Sequence, residues 1–247
     1  MITKSQVKYI QSLGQKKVRD EEGVFVAEGP KIINELLQTA HIQIQTLYAS
    51  AQWLEANQAI LKFTGRTQVE EIKDHELEKI SFLSSPSPVL ALVKKPAWSQ
   101  PVVVKQSVVL LLDGIQDPGN LGTIIRTADW FGITEIVCTP DCADCFAPKV
   151  VQSTMGSIAR IRVHYAEAEH WLDQTKGVPV YVTVLGGKPL SDYGKIAEGI
   201  IVIGNESRGV SDALVKKSDA PVTIPRTGSA ESLNAAVATG IVLSHLI

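Results

Sequence analysis

The 247-residue chain has little cysteine, no long apolar run and no large excess of either charge. Three cysteines are too few, and odd in number, for a disulfide framework. They stand close together as Cys138, Cys142 and Cys145. A structural zinc site takes four ligands. The Cys142/Cys145 pair has no second close pair, and the nearest histidine in sequence is His164, so plain thiols and no metal are expected. Apolar runs such as VVLLL (108–112) are too short to span a bilayer. The N-terminus lacks the apolar core of a secretory signal, and a cytoplasmic chain with reduced thiols is the expectation. A formal net charge of −2 argues against coating of the whole surface by nucleic acid.

Averages hide local charge. Residues 1–19 carry Lys4, Lys8, Lys16, Lys17 and Arg19 and no acid. Such a segment either follows a phosphate backbone or forms a solvated helix face. Two regions separate along the chain. Residues 1–95 are expected to form a small α/β domain, with VKYIQSL as an amphipathic helix buried through Val7, Ile10 and Leu13. PKIINELLQTA follows with Ile32, Ile33, Leu36 and Leu37 inward, and AQWLEANQAILKF is a further helix. KKPAWSQPVV (94–103), with two prolines, marks a linker taken as residues 96–106. From 107 to 247 the pattern changes. SVVLLLD, ITEIVCT, VPVYVTV, GIIVIGN and APVTIP are short β-branched runs with helical segments between most of them, which predicts a parallel sheet covered on both faces. SLNAAVATGIVLSHLI closes the chain as a helix whose buried side is expected to be Leu233, Val237, Ile241 and Leu246.

Three loops follow predicted strands: DGIQDPGNLG (113–122), GNESRG (204–209) and PRTGSAESLN (225–234). Ligands of open parallel sheets sit beyond the carboxyl ends of the strands. The first loop lacks the glycine fingerprint of dinucleotide sites and the Lys-Ser/Thr of a P-loop. Asn120 is a candidate helix cap, and Gly119 and Gly122 let backbone approach a ligand. Arg126, on the helix after it, either faces an anionic ligand or pairs with Asp113, Asp117 or Asp129. Glu206 either braces a neighbouring loop or positions a substrate group. In the third loop Ser232 or Glu231 is a candidate cap, and Ile224 and Leu233 would wall a flat ring bound through backbone groups.

Taken in order, N-x-G-x-x-x-R-x-A-x-x-F/W-G, G-N-E-x-x-G and I-P-x-x-G-x-x-E-S-L-N resemble the three motifs of the SpoU-type (TrmH-like) RNA ribose 2′-O-methyltransferases of the SPOUT superfamily. The match runs from about Val108 to Ile247. The pattern VKYIQSL…KKVRDEEGVFVAEGPKIINELL is similar to the substrate-binding domain attached to many members. The resemblance implies a parallel sheet with a deep trefoil knot, where general chain-topology rules alone point to an ordinary doubly wound sheet. It implies S-adenosylmethionine held in the knot, a homodimer with active sites at the subunit interface, and an RNA substrate, ribosomal before transfer RNA. Carried over, Asn120, Arg126, Glu206, Ser232 and Asn234 are the motif residues. Ile203, Gly204, Ile224 and Leu233 are the cofactor positions, with Arg226 standing where many members have Met. Lys4, Lys8, Lys16, Lys17 and Arg19 would dock RNA. STMGSIAR (153–160) is read as helix, with Arg160 a candidate phosphate contact. Two rival readings of the same residues are a non-catalytic RNA assembly factor on this fold and a Rossmann-type enzyme using another nucleotide; the missing fingerprint weighs against the second.

Overall fold

The computed structural model describes residues 1–61, 65, 67–98 and 100–247. The end of the helix expected over AQWLEANQAILKF (Lys62 and Phe63) and Ser99 of the linker lie outside the described residues. The chain forms two compact units. One comprises 1–97 together with 144–159, the other 98–143 together with 160–247.

The first unit runs α1 Lys4–Ser12, α2 Lys16–Glu22, β1 Val24–Glu28, α3 Pro30–Leu37, β2 Ile44–Ala49, α4 Ala51–Ala56, α5 Gln58–Leu61, β3 Gln68–Glu71, α6 Asp74–Ile80 and β4 Val89–Lys94. Thr3 and Gln6 cap α1 reciprocally, and Ile10 and Leu13 are fully buried as their spacing requires. Strands pair in the order β1-β4-β2-β3, with β1/β4 and β4/β2 antiparallel and β2/β3 parallel. β1 and β4 are almost wholly buried, so they read as continuous apolar runs. β3 is a polar, largely exposed edge strand (QVEE), which no apolar alternation announces.

The stretch 144–159 belongs to this unit although it lies inside the methyltransferase-like part of the sequence. Its α8 (Pro148–Thr154) packs on β1 and buries Val150 and Val151. The helix expected over 153–160 does not form. Met155 (φ 52°) and Gly156 (φ 101°) are left-handed and end α8, and a short 3-10 turn, Ser157–Ala159, follows. A side chain at Gly156 would meet Glu35 at 2.7 Å, so this break also permits close packing against α3.

The second unit runs β5 Val108–Asp113, α7 Pro118–Trp130, β6 Glu135–Cys138, β7 Arg162–Tyr165, α9 Ala168–Gln174, β8 Val180–Pro189, β9 Gly199–Gly204, α10 Asp212–Val215, β10 Ala220–Thr223 and α11 Ala235–Leu246. Its sheet has the order β10-β8-β9-β5-β6-β7, and every pairing is parallel. The expected parallel sheet is therefore present, with one strand more than expected. β7 (RVHY) is an edge strand in which Val163 alone is buried. The chain steps outward from β5 through β6 and β7, then crosses to the other side of β5. β5 and β9 are thus neighbours whose following loops start side by side, at the switch point of the sheet.

α11 corrects the expected register. It buries Ala235, Ala236, Thr239, Val242, Leu243 and Leu246, while Val237 is 52% exposed, Leu233 44% and Ile241 37%. The helix is apolar on nearly all sides, so periodicity could not choose a face. The buried face is small in the first half of α11 (Ala235, Ala236, Thr239) and large in the second (Val242, Leu243, Leu246), and the helix packs on α7 with Gly240 beside the Thr127 methyl.

Candidate active site

The loop after β5 is ordered by its own residues. Asp117, not Asn120, caps α7, its carboxylate accepting the Asn120 N–H at 2.8 Å, and Pro118 takes the first helical position. Gly119 is required here, since a Cβ would lie 2.9 Å from the Asp117 carboxylate. The Asp117-Pro118 pair is the sequence signal for this cap. Gly122 is buried inside α7 and offers no amide to a ligand.

The loop after β9 folds on itself. Asn205 and Gly209 exchange backbone hydrogen bonds, and the Asn205 side chain accepts the N–H groups of Ser207 and Arg208. A side chain at Gly204 would collide with the Gly209 and Val210 backbone, so glycine alone fits. The Asn205 amide donates to the Gly114 carbonyl at 2.8 Å, tying this loop to the first. Sequence reasoning missed Asn205, whose signal was its place beside Glu206 in the same turn. Arg208 reaches Asp141 at 3.3 Å over Gly114, a second and more exposed tie.

Three predicted site residues meet directly. The Asn120 amide donates to the Glu206 carboxylate, and the Asn234 amide donates to the Asn120 carbonyl at 2.8 Å. One asparagine thus joins all three loops. Asn234 is also the cap of α11, accepting from the N–H groups of Ala236 and Val237, which displaces Ser232 and Glu231 from that role. Ser232 is exposed in the third loop. Arg226 closes that loop by donating to the Ala230 carbonyl.

Arg126 stands apart. It is exposed on α7, and among the described residues it makes no side-chain hydrogen bond or ion pair. Its three candidate partners are engaged elsewhere. Asp113 accepts the Ser211 N–H, Asp117 caps α7 and Asp129 pairs with Arg160 at 2.7 Å. Glu206 accepts from Asn120 and braces the loops, and neither residue makes a hydrogen bond to Arg126 among the described residues.

Arg19 is the clearest correction. It is 2% exposed, paired with Asp144 at 2.5 Å and donating to the carbonyls of Leu13 and Gly14. It holds the first unit together and cannot meet a phosphate. Lys4, Lys8, Lys16 and Lys17 are exposed, as a docking role demands. The three cysteines are buried. Hydrogen bonds from Cys138 and Thr139 and from the Ile115 N–H bring the Cys142 thiol down to about 7, outweighing burial.

Among the described residues, 226–233 make no backbone-to-backbone hydrogen bond; the Ala230 carbonyl accepts from Arg226, and the other N–H and C=O groups of the third loop have no backbone partner. Buried Ile203 and half-buried Ile224 lie at the ends of the strands that carry the second and third loops. A larger cleft, about 580 Å³, opens elsewhere in this unit among Asp113, Asp141, Glu167, Glu169 and His170. Its carboxylates would repel an RNA backbone.

Comparison with known proteins decides the family. Residues 107–244 match the SpoU rRNA Methylase family. The chain belongs to that family. Residues 4–91 match the MRM3-like substrate binding domain. The chain is 33% identical to the Bacillus subtilis 23S rRNA (guanosine(2553)-2′-O)-methyltransferase RlmP, over 97% of this chain and 95% of the relative. It is 29% identical to the 23S rRNA (uridine(2479)-2′-O)-methyltransferase of Streptomyces viridochromogenes, covering 95% and 86%. Among solved structures, the AdoMet-bound rRNA methyltransferase of Sinorhizobium meliloti superposes with a TM-score of 0.87 at 32% identity, over 99% of this chain and 95% of that one.

Proposed function

We propose that the protein methylates a ribose 2′-hydroxyl of ribosomal RNA, with S-adenosylmethionine as methyl donor. The Glu206–Asn120–Asn234 chain of hydrogen bonds carries this reading, because it draws the three motif loops into one site at the switch point of a parallel sheet. The full-length likeness to two 23S rRNA 2′-O-methyltransferases and to an AdoMet-bound enzyme names the reaction and the cofactor.

The largely unpaired backbone of 226–233, with Ile203, Gly204, Ile224 and Leu233, suits an adenosyl group bound through main-chain contacts. Bound there, S-adenosylmethionine supplies a methyl already activated on a sulfonium. The remaining tasks are alignment and the charge on the attacking oxygen. Asn120, Glu206 and Asn234 hold the loops in register. Arg126, with no internal partner, is placed to meet RNA, and its guanidinium stabilises the alkoxide character that develops at the 2′-oxygen. A guanidinium keeps its proton across the working pH range, so this role is electrostatic, and the 2′-hydroxyl proton leaves to a substrate phosphate or to water as the methyl transfers. The exposed lysines Lys4, Lys8, Lys16 and Lys17 dock the RNA backbone. Arg160 contributes less, being paired with Asp129.

The knot and the homodimer belong to the same proposal. The return of the chain from edge strand β10 to α11, which packs on α7, is compatible with a threaded C-terminal segment. Trp130 (85% exposed), Val237 and Ile241 leave apolar surface on α7 and α11, which fits burial against a second copy. A dimer should be measured by light scattering, and Trp130→Glu should give a monomer. The deciding experiment is transfer of labelled methyl from S-adenosylmethionine to unmodified 23S ribosomal RNA. Label mapped to one ribose is expected; label on a base, or on transfer RNA alone, would overturn the reading.

A further inference from the structure

A pocket of about 230 Å³ lies within the first unit. Val26 and Glu28 of β1 form part of its lining, with Phe82 and Leu83 from the segment after α6, and Lys149 and Gln152 from α8. Drug-sized ligands occupy roughly 300–1,000 Å³, so this pocket suits something smaller, such as one planar heterocycle. Three features narrow the chemistry. Phe82 supplies an aromatic ring for stacking. The Gln152 amide makes no side-chain hydrogen bond among the described residues, so its donor and acceptor are available. Glu28 is a buried carboxylate, 5% exposed, fixed by the Ser81 hydroxyl at 2.5 Å and by the N–H groups of Phe82 (3.1 Å) and Ser87 (3.3 Å). A carboxylate offers about four acceptor sites, and the three bonds leave one open on the oxygen that only Phe82 N–H contacts.

An aromatic face beside a fixed hydrogen-bonding edge is how proteins hold unstacked RNA bases. The surroundings carry the charge such a ligand needs. Lys149 lines the pocket, and Lys16 and Lys17, exposed though bridged to Asp20 and Glu21 one turn on, open α2 just after Gly14, which lies against the Phe82 ring. Accordingly, we propose that this pocket receives one unstacked base of the substrate RNA, and that Glu28 selects a base with an exocyclic amino group. This rests on RNA being the substrate. The pocket anchors RNA and takes no part in methyl transfer.

The test compares the full chain with Phe82→Leu and Gln152→Ala. In vitro transcribed 23S ribosomal RNA serves both for binding and for steady-state methyl transfer. Loss of stacking should raise the RNA Kd and KM by roughly 5- to 100-fold. The kcat, the affinity for S-adenosylmethionine and the slope of affinity against salt should not change, because no phosphate contact is lost. Ser153→Trp, at a half-buried position of α8 that lines the pocket, should cause the same loss by filling it. Hairpins with A, C or G loops should compete better than a U-loop hairpin. RNA Kd within twofold of wild type for all three variants overturns the pocket, and equal competition by all four hairpins overturns the amino selection. If wild type transfers no methyl, the function fails, and the Kd comparison alone still decides the pocket.

Discussion

Helix α2 and helix α7 each carry one arginine, and the two have opposite fates. Arg19 of α2 sits in the most basic stretch of the chain yet is buried, its charge consumed by Asp144 and two carbonyls. Arg126 of α7 is surrounded in sequence by apolar residues and acids yet is exposed, with no polar side-chain partner among the described residues. Local charge density therefore misplaces both. An arginine is structural when the fold closes carboxylates and carbonyls around it. It is left for a ligand when its neighbours are engaged elsewhere, as Asp113, Asp117 and Asp129 are.

The comparison breaks most sharply at Arg19. Replacing it by Met leaves Asp144 buried without its cation, so the first unit should lose about 3–5 kcal/mol, read by urea unfolding. An Arg19→Met protein that stays fully stable but loses RNA affinity would reverse the assignment. Arg126→Ala should lower kcat by about 100- to 1,000-fold while S-adenosylmethionine affinity and melting temperature hold. Retention of most of the activity would remove Arg126 from the chemistry. Asn120→Ala lies between the two cases, since it cuts two of the bonds that join the loops and leaves the Asn205–Gly114 tie. It should cost about 1–3 kcal/mol, seen as weaker cofactor binding by calorimetry as well as reduced turnover. The smallest effect is expected at Lys17, 83% exposed and 3.9 Å from Glu21. Lys17→Ala should weaken RNA binding modestly and reduce the salt slope by about 1. Deleting residues 1–97 is a poor test of docking, because α8 packs on β1 and would be stripped of its partner.

Much of the architecture was legible. The β-branched runs of the second unit became parallel strands because a strand covered on both faces needs apolar residues at every position. Edge strands β3 and β7 were not legible, since an edge half open to water has no such need. The helix expected over 153–160 failed at Met155 and Gly156, where the backbone turns left-handed to let α3 come close. In the candidate site the three loops were readable in the sequence, and the family resemblance pointed to Asn120, Glu206 and Asn234, which the fold brings together. The caps were not readable: they proved to be Asp117 and Asn234, whereas Glu206 holds Asn120 and so braces the neighbouring loop, one of the two readings open to it.

By itself the sequence determined the order of elements, the three motif loops and the family, because residue type and spacing along the chain are local properties. Only the tertiary structure decided which charges are spent and which remain. That depends on what 125 residues of separation bring within 2.5 Å, as between Arg19 and Asp144. The face of α11 was settled in the same way: on a helix apolar on nearly all sides, packing against α7 and its neighbours buries Ala235, Ala236, Thr239, Val242, Leu243 and Leu246, and no period in the sequence records that choice.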